Sequence, residues 1–188
     1  MPLVHLPVQS GSDKILKSMN RKHKVKDYLS VYKKLKEINP AVKFSSDFII
    51  GYPGEDEKDF NNTVSLINEI EFINSYSFVF SPRPGTIASK LKLIDKMTSL
   101  NRLKIIQQKL FDHQIQMNKS LENEVIDVLV ENKMKKSRKF FGRSEYLTPV
   151  IFNGNDENIG KIVKIKITNS NKNTLFGEII EKSKLKVA

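Results

Sequence analysis

The stretch Val42-Lys43-Phe44-Ser45-Ser46-Asp47-Phe48-Ile49-Ile50 runs directly into Gly51-Tyr52-Pro53-Gly54 and then Glu55-Asp56-Glu57. It reads as a buried strand, rich in Val, Phe and Ile, that ends in a Gly/Pro turn and opens a helix. The three acidic residues stand where a helix N-terminus favours negative charge. Phe60, Val64, Ile67 and Ile70 then supply the apolar stripe of that helix.

Working outward, Leu3 to Val8 is a short apolar run. Ser10-Gly11-Ser12-Asp13 follows it with turn and N-cap residues for a helix holding Ile15, Leu16 and Met19. Tyr28, Val31, Tyr32, Leu35 and Ile38 recur at helical spacing, and Asn39-Pro40 stops them, because proline disfavours an α conformation at the residue before it. Downstream, Tyr76, Phe78 and Phe80 alternate with Ser75, Ser77 and Val79, the period of a strand. The order strand, helix, strand, helix, strand argues for parallel βαβ units, whose functional loops gather at the carboxyl ends of the strands.

A long helix is expected from Thr98 to Leu121, with Leu103, Ile106, Leu110, Met117 and Leu121 on one broad face. After it the period changes to two. Val125–Val130, Val150–Phe152, Lys161–Ile167 and Thr174–Ile180 read as short strands of a compact all-β module, with Asn169 to Asn173 as a hairpin loop. The fold class is therefore α/β followed by all-β, divided into residues 1–118, residues 119–182 and a tail at 183–188.

The chain has 188 residues and a formal net charge of +11, which points to an anionic partner, nucleic acid ahead of membrane. Generic lysine enrichment raises charge in the same way. The sequence contains no cysteine, which removes disulfides, zinc–thiolate sites and iron–sulfur ligation by its own side chains. With no run of about eighteen apolar residues and no secretory signal pattern, a cytoplasmic, non-membrane protein is expected. Nucleophile-elbow, phosphate-loop and His-Glu-x-x-His motifs are missing, and His5, His23 and His113 do not fall at a metal-ligand spacing.

Three strand ends carry unusual residues. His5 to Asp13 would present Gln9 and Ser10 at a barrel mouth. In Ser45 to Glu55, glycines allow close backbone approach to a ligand, and Asp47 is a candidate acid or base. In Ser81-Pro82-Arg83-Pro84-Gly85-Thr86, prolines fix the backbone around an arginine suited to a carboxylate or phosphate. Taken singly, each loop is an ordinary strand-to-helix connection, and Arg83 a surface ion-pairing residue. The run from Lys133 to Arg143 gathers Lys135, Lys136, Arg138, Lys139 and Arg143 beside Phe140 and Phe141. Such a set neutralises phosphates and offers a ring to an unstacked base, whereas a solvated hairpin with core phenylalanines is the plainer alternative.

Taken together, HLPVQSGSD (5–13), SSDFIIGYPGE (45–55), YSFVFSPRPGT (76–86) and the later GRSE, GKIVKIKIT and LFGEI resemble the radical S-adenosylmethionine tRNA methylthiotransferases, which act on isopentenyladenosine beside the anticodon. The resemblance covers nearly the whole chain. It implies a partial radical-SAM (βα) barrel followed by a TRAM domain, a small OB-like RNA-binding barrel. It also implies S-adenosylmethionine and two [4Fe–4S] clusters as cofactors of the complete proteins, whose amino-terminal domain and cluster-bearing half barrel this chain would lack. By the same resemblance, Gly51, Pro53, Gly54 and Glu55 would lie near the adenosyl part of the cofactor, with Gln9, Ser10 and Asp47 facing the barrel interior. Arg83 would sit on the substrate side. The TRAM residues would hold a tRNA anticodon stem-loop, with the missing amino-terminal half as a second partner. Two other readings stand beside this one: an independent RNA-binding module, and the relative that modifies an aspartate of a ribosomal protein.

Overall fold

The computed structural model describes residues 1–135 and 137–180 and divides the chain into two compact units, Pro2–His113 and Gln114 onward. Lys136 and the tail at 183–188 lie outside the described residues.

The first unit begins with β1 (Leu3–His5), α1 (Asp13–Ser18) and α2 (Val25–Ile38), then β2 (Lys43–Ser45), β3 (Asp47–Ile50), α3 (Glu57–Ile70) and β4 (Tyr76–Val79). A single 3-10 turn at Ile87–Lys90 leads to α4 (Lys96–Ser120), which belongs to this unit as far as His113. Each helix starts where a side chain can satisfy the free amides of its first turn. The Ser12 hydroxyl accepts the Ile15 N–H at 3.4 Å to cap α1. Asp56 accepts the Asp59 N–H at 2.9 Å while Asp59 accepts the Asp56 N–H at 3.0 Å, a reciprocal capping box at the head of α3. That helix ends at Glu71, in the left-handed conformation at φ 56°.

The stretch expected as one strand, Val42 to Ile50, is divided at Ser46. β2 pairs in parallel with β1, and β3 pairs in parallel with β4, with Asp47 opposite Tyr76 and Ile49 opposite Phe78. The break has a physical cause in the serine. Its hydroxyl accepts the Val8 N–H and its own N–H donates to the Ser75 hydroxyl, both at 2.9 Å, so side chains replace ladder bonds on both flanks. Val8, Phe44, Phe48, Ile50, Phe60, Ile67 and Phe72 build the core on the face covered by helices, joined by Ile106 and Leu110 of α4.

The second unit contains β5 (Val125–Lys133), β6 (Lys139–Ser144), β7 (Pro149–Asn153), β8 (Ile162–Ser170) and β9 (Leu175–Ile179). They close into a barrel in the order β5-β6-β7-β9-β8, antiparallel except where β9 runs parallel to β7. Strict alternation places Ile126, Val128, Val130, Phe140, Val150, Phe152, Ile165, Ile167 and Leu175 inside. One strand was not expected: β6, in a segment read as a basic loop, because its charged positions mask an alternation whose inward members are Phe140, Gly142 and Ser144. Gly142 is obligatory there, since a Cβ would stand 2.5 Å from the Leu129 carbonyl oxygen.

Candidate cofactor face and nucleic-acid interface

The carboxyl end of β1 turns through Gln9, a non-glycine residue in the left-handed region at φ 72°. Its N–H donates to Asp47 O and its carbonyl accepts the Ile49 N–H, both at 3.0 Å, so the turn is stitched to β3 on either side of Phe48. Gln9 and Ser10 are both buried. The Ser10 hydroxyl accepts the Ser12 N–H at 3.2 Å and lies 3.4 Å from Thr63 Oγ1 of α3, and Gly11 packs so tightly that a Cβ would meet the Asn62 carbonyl oxygen at 2.5 Å. Ser10 is thus turned against α3 and not presented at a mouth.

Asp47 lies on the sheet face opposite the helices, with its Oδ2 3.6 Å from His5 Nε2. The other ring nitrogen of His5 is 2.8 Å from Ser45 Oγ. Tyr76 and Phe78 continue this face across β4, both more than half exposed. Sequence reasoning singled out Asp47 here and missed His5 as its neighbour, although the strand period of two already placed residues 45 and 47 on one side.

The turn after β3 uses left-handed glycines at Gly51, φ 72°, and Gly54, φ 86°. A Cβ at Gly51 would stand 2.5 Å from Ser99 Oγ of α4, whereas Gly54 has no atom within 4 Å of that position and is open to an approaching ligand. Glu55 is arranged otherwise than its place in a ligand loop suggests. Its carboxylate is buried, accepts the Gly51 N–H at 3.2 Å and pairs with Arg102 Nη1 at 2.9 Å. Arg102 also donates to Glu57 at 3.0 Å and stacks on Phe60 with its guanidinium carbon 5.3 Å from the ring centre. Burial pushes the Glu55 carboxyl above its ordinary value, against the pull of the Gly51 N–H and the Arg102 charge. Glu55 is therefore a clamp on its own turn. Arg102 escaped the sequence reading. The available signal was a cation four residues before Ile106 and eight before Leu110, inside the buried stripe of α4.

At the head of α3, Lys14 reaches Asp56 at 2.7 Å and Asp59 at 2.6 Å. The Lys14 contact, with the Asp59 N–H, holds the Asp56 carboxyl down at about 2.

Arg83 is exposed, and its backbone carbonyl accepts from the Thr86 hydroxyl at 2.8 Å. No side-chain contact joins it to the Gln9 or Gly51 turns among the described residues.

On the barrel, some basic residues are held in ion pairs and others are exposed at the β5–β6 hairpin. Lys133 holds Asp156 at 3.1 Å, and Arg143 holds Glu131 at 3.0 Å while stacking on Phe141 at 5.5 Å from the ring centre. Lys135, Arg138 and Lys139 remain exposed at the β5–β6 hairpin. Phe140 is a core residue and Phe141 points outward beside Arg143. Tyr146, in the turn after β6, is buried. Among the described residues no group of three or more His, Asp or Glu could hold a metal, and no helix is long and apolar enough to cross a membrane.

The first unit is a set of parallel strands with loops at the strand ends, and the second is a small closed barrel. The model of the Radical SAM superfamily matches residues 1–67, and that of the TRAM domain matches residues 119–180. The chain is 64% identical over 188 residues to the tRNA-2-methylthio-N(6)-dimethylallyladenosine synthase of Pelagibacter ubique, covering 100% of this chain and 42% of that protein. It is 46% identical over 178 residues to the synthase of the same name from Ruthia magnifica, covering 94% of this chain and 40% of that protein. The corresponding protein of Bartonella bacilliformis is 42% identical over 179 residues, covering 95% of this chain and 39% of its own length. Along its whole length the chain is similar to these methylthiotransferases, and it spans about two fifths of the length of the curated relatives it matches.

Proposed function

We propose that the chain supplies the cofactor-positioning and RNA-binding parts of a transferase that 2-methylthiolates isopentenyladenosine next to the anticodon of tRNA. The observation that carries this reading is similarity along the whole chain to synthases of that name, with both the sheet and the barrel included. Residues 1–118 then form the barrel part and residues 119–182 the RNA-binding domain. The site of action is the cytoplasm, where the tRNA substrate is.

S-adenosylmethionine fits the residues present. Gly54 leaves open space at φ 86°, Asp47 lies partly exposed on the sheet face opposite the helices, and Gln9 forms the turn stitched to β3 beside it. Gly51 and Pro53 shape that turn, and Glu55 holds it in place through the Gly51 N–H. Bound there, the cofactor supplies the adenosyl radical and methyl chemistry, while the protein contributes orientation and exclusion of water. The [4Fe–4S] clusters do not fit this chain, because it has no cysteine. Cluster-binding cysteines would have to come from outside these 188 residues. Purified chain incubated with tRNA, reductant and S-adenosylmethionine is expected to yield no methylthiolated nucleoside by mass spectrometry; product from the chain alone would overturn the division of labour.

For RNA, Lys135, Lys136, Arg138, Lys139 and Arg143 are the proposed contacts, with Arg83 on the substrate side. Fluorescence anisotropy with an anticodon stem-loop should give an affinity whose logarithm falls linearly with the logarithm of salt concentration. A second reading, an RNA-binding module that works by itself, is favoured by the closed barrel with exposed cations at one hairpin. Binding unchanged by the isopentenyl group and by cofactor would support it. Binding to a ribosomal protein with none to tRNA would turn the assignment to the relative that modifies an aspartate.

A further inference from the structure

Strands β1 to β4 bring His5, Ser45, Asp47, Tyr76 and Phe78 together on a face that no helix of the first unit covers among the described residues. The set superficially matches a nucleophilic Ser-His-Asp arrangement. Burial excludes that role, because Ser45 is only 4% exposed and its hydroxyl cannot meet a substrate atom. The Ser45 hydroxyl engages Nδ1 at 2.8 Å, which leaves Nε2 as the ring nitrogen aimed along the face. Asp47 Oδ2 lies 3.6 Å from Nε2, beyond hydrogen-bond length. Neither polar atom is saturated by the other, and both side chains are partly exposed, at 50% and 32%. An imidazole nitrogen and a carboxylate oxygen thus stand side by side, 3.6 Å apart, where the edge of one ligand can meet both.

The parallel register adds a hydrophobic shelf. Asp47 is opposite Tyr76 and Ile49 opposite Phe78, and the two rings are 62% and 56% exposed. Neighbouring strands lie about 4.8 Å apart, so the shelf and the polar pair together span roughly 10 Å, the width of a purine. An aromatic shelf beside an imidazole nitrogen able to donate and a carboxylate is complementary to a ring that carries an exocyclic amine next to a ring-nitrogen acceptor.

We propose that His5 and Asp47 read the amino edge of an adenine ring seated on Tyr76 and Phe78, which makes His5 a specificity residue and Ser45 its positioning residue. The proposal rests on the cofactor and RNA reading above and goes beyond it by naming the contacts. The adenine belongs either to S-adenosylmethionine or to the RNA nucleotide.

The chain has three histidines, so the imidazole C2–H signals in a proton NMR spectrum serve as site reporters, with His23 and His113 as internal controls. The missing signal of His5→Gln assigns His5. Adenosine is expected to shift the His5 signal saturably and leave the other two in place. Purine riboside, which lacks the amine, should bind roughly tenfold more weakly, the cost of one hydrogen bond to a charged group. Asp47→Asn should weaken adenosine and leave purine riboside unchanged. Phe78→Ser replaces an exposed ring, so the fold survives it, and it should weaken both ligands alike. Parallel titrations with S-adenosylmethionine and with isopentenyladenosine tell the two sources apart by which saturates first. The proposal is overturned if His5 stays unmoved by adenosine, as when a polypeptide occupies the face, or if adenosine and purine riboside bind equally. Stem-loop binding by the barrel in the same preparation separates either failure from failure of the functional reading.

Discussion

The sheet of the first unit and the barrel of the second keep their backbones paired by opposite means. The barrel closes on itself, so each of its five strands has two neighbours and its apolar side chains face one interior. The strands of the first unit pair in parallel, and among the described residues its helices pack on one side of them. Its open side carries polar and aromatic groups, while its loops are held from behind by buried ionic contacts such as Arg102–Glu55. One unit is ordered by closure, the other by parallel pairing and by clamps at its turns.

Substitutions that act on one mechanism at a time test this contrast. Phe140→Ala empties the centre of the barrel, and a loss of about 3–5 kcal/mol is expected from the transfer and cavity contributions. Hydrogen exchange followed by mass spectrometry should show this loss in residues 125–179 and leave the first unit protected; equal loss in both would mean that the units do not fold separately. Arg102→Met leaves the Glu55 carboxylate buried without its cation and should cost about 3 kcal/mol, confined to the Gly51–Glu57 turn and the first unit. A smaller loss from Arg102→Lys, measured the same way, would tie the effect to charge, while an equal loss would tie it to the fork geometry.

Acid should also separate the units. The Asp56 carboxyl is lowered from 3.8 to about 2 in the folded chain, so its stabilising contribution is complete above about pH 4 and disappears as the pH falls through 2. Glu55 is raised and has the opposite sign, favouring the folded state as it takes up a proton. Asp56→Asn is expected to flatten the acid limb of the first unit's stability curve, read by circular dichroism between pH 2 and 5, and a limb of unchanged steepness would rule out this carboxyl as its source. Lys139→Glu should weaken stem-loop binding and reduce the salt slope by about 1, with no change in barrel stability. The smallest effect belongs to Thr148→Val. The Thr148 hydroxyl is buried without a hydrogen-bond partner among the described residues, so its removal should be neutral or stabilise by up to about 1 kcal/mol in chemical denaturation.

Most of the architecture was legible because hydrophobic period and punctuation agreed. Ser12, Asn39-Pro40 and Gly51 marked element ends that the structure also uses. What escaped was decided across long sequence distances. Nothing local reveals that the Ser46 hydroxyl meets Val8 and that its N–H meets Ser75, which divides a continuous apolar run into two ladders. In β6, every second residue is Lys139, Phe141 or Arg143, and charge density hid a strand whose inward residues include one glycine and one serine. For the site, Asp47 and the Gly51 turn were visible as motif residues. Arg102 and His5 stand out only through partners 47 and 42 positions away, Glu55 and Asp47 respectively.

The parallel insertion of β9 between β7 and β8 also bears on the chain's synthesis. A ribosome emits β5 through β8 before residues 175–179 exist, and until then Val150 and Ile167 lack the backbone neighbour that seals them. Closure must wait for this late segment, and its long-range pairing is of the kind that slows folding. During that interval the nascent barrel exposes two open edges, so the final strand acts as the latch that ends a period of vulnerability to mispairing.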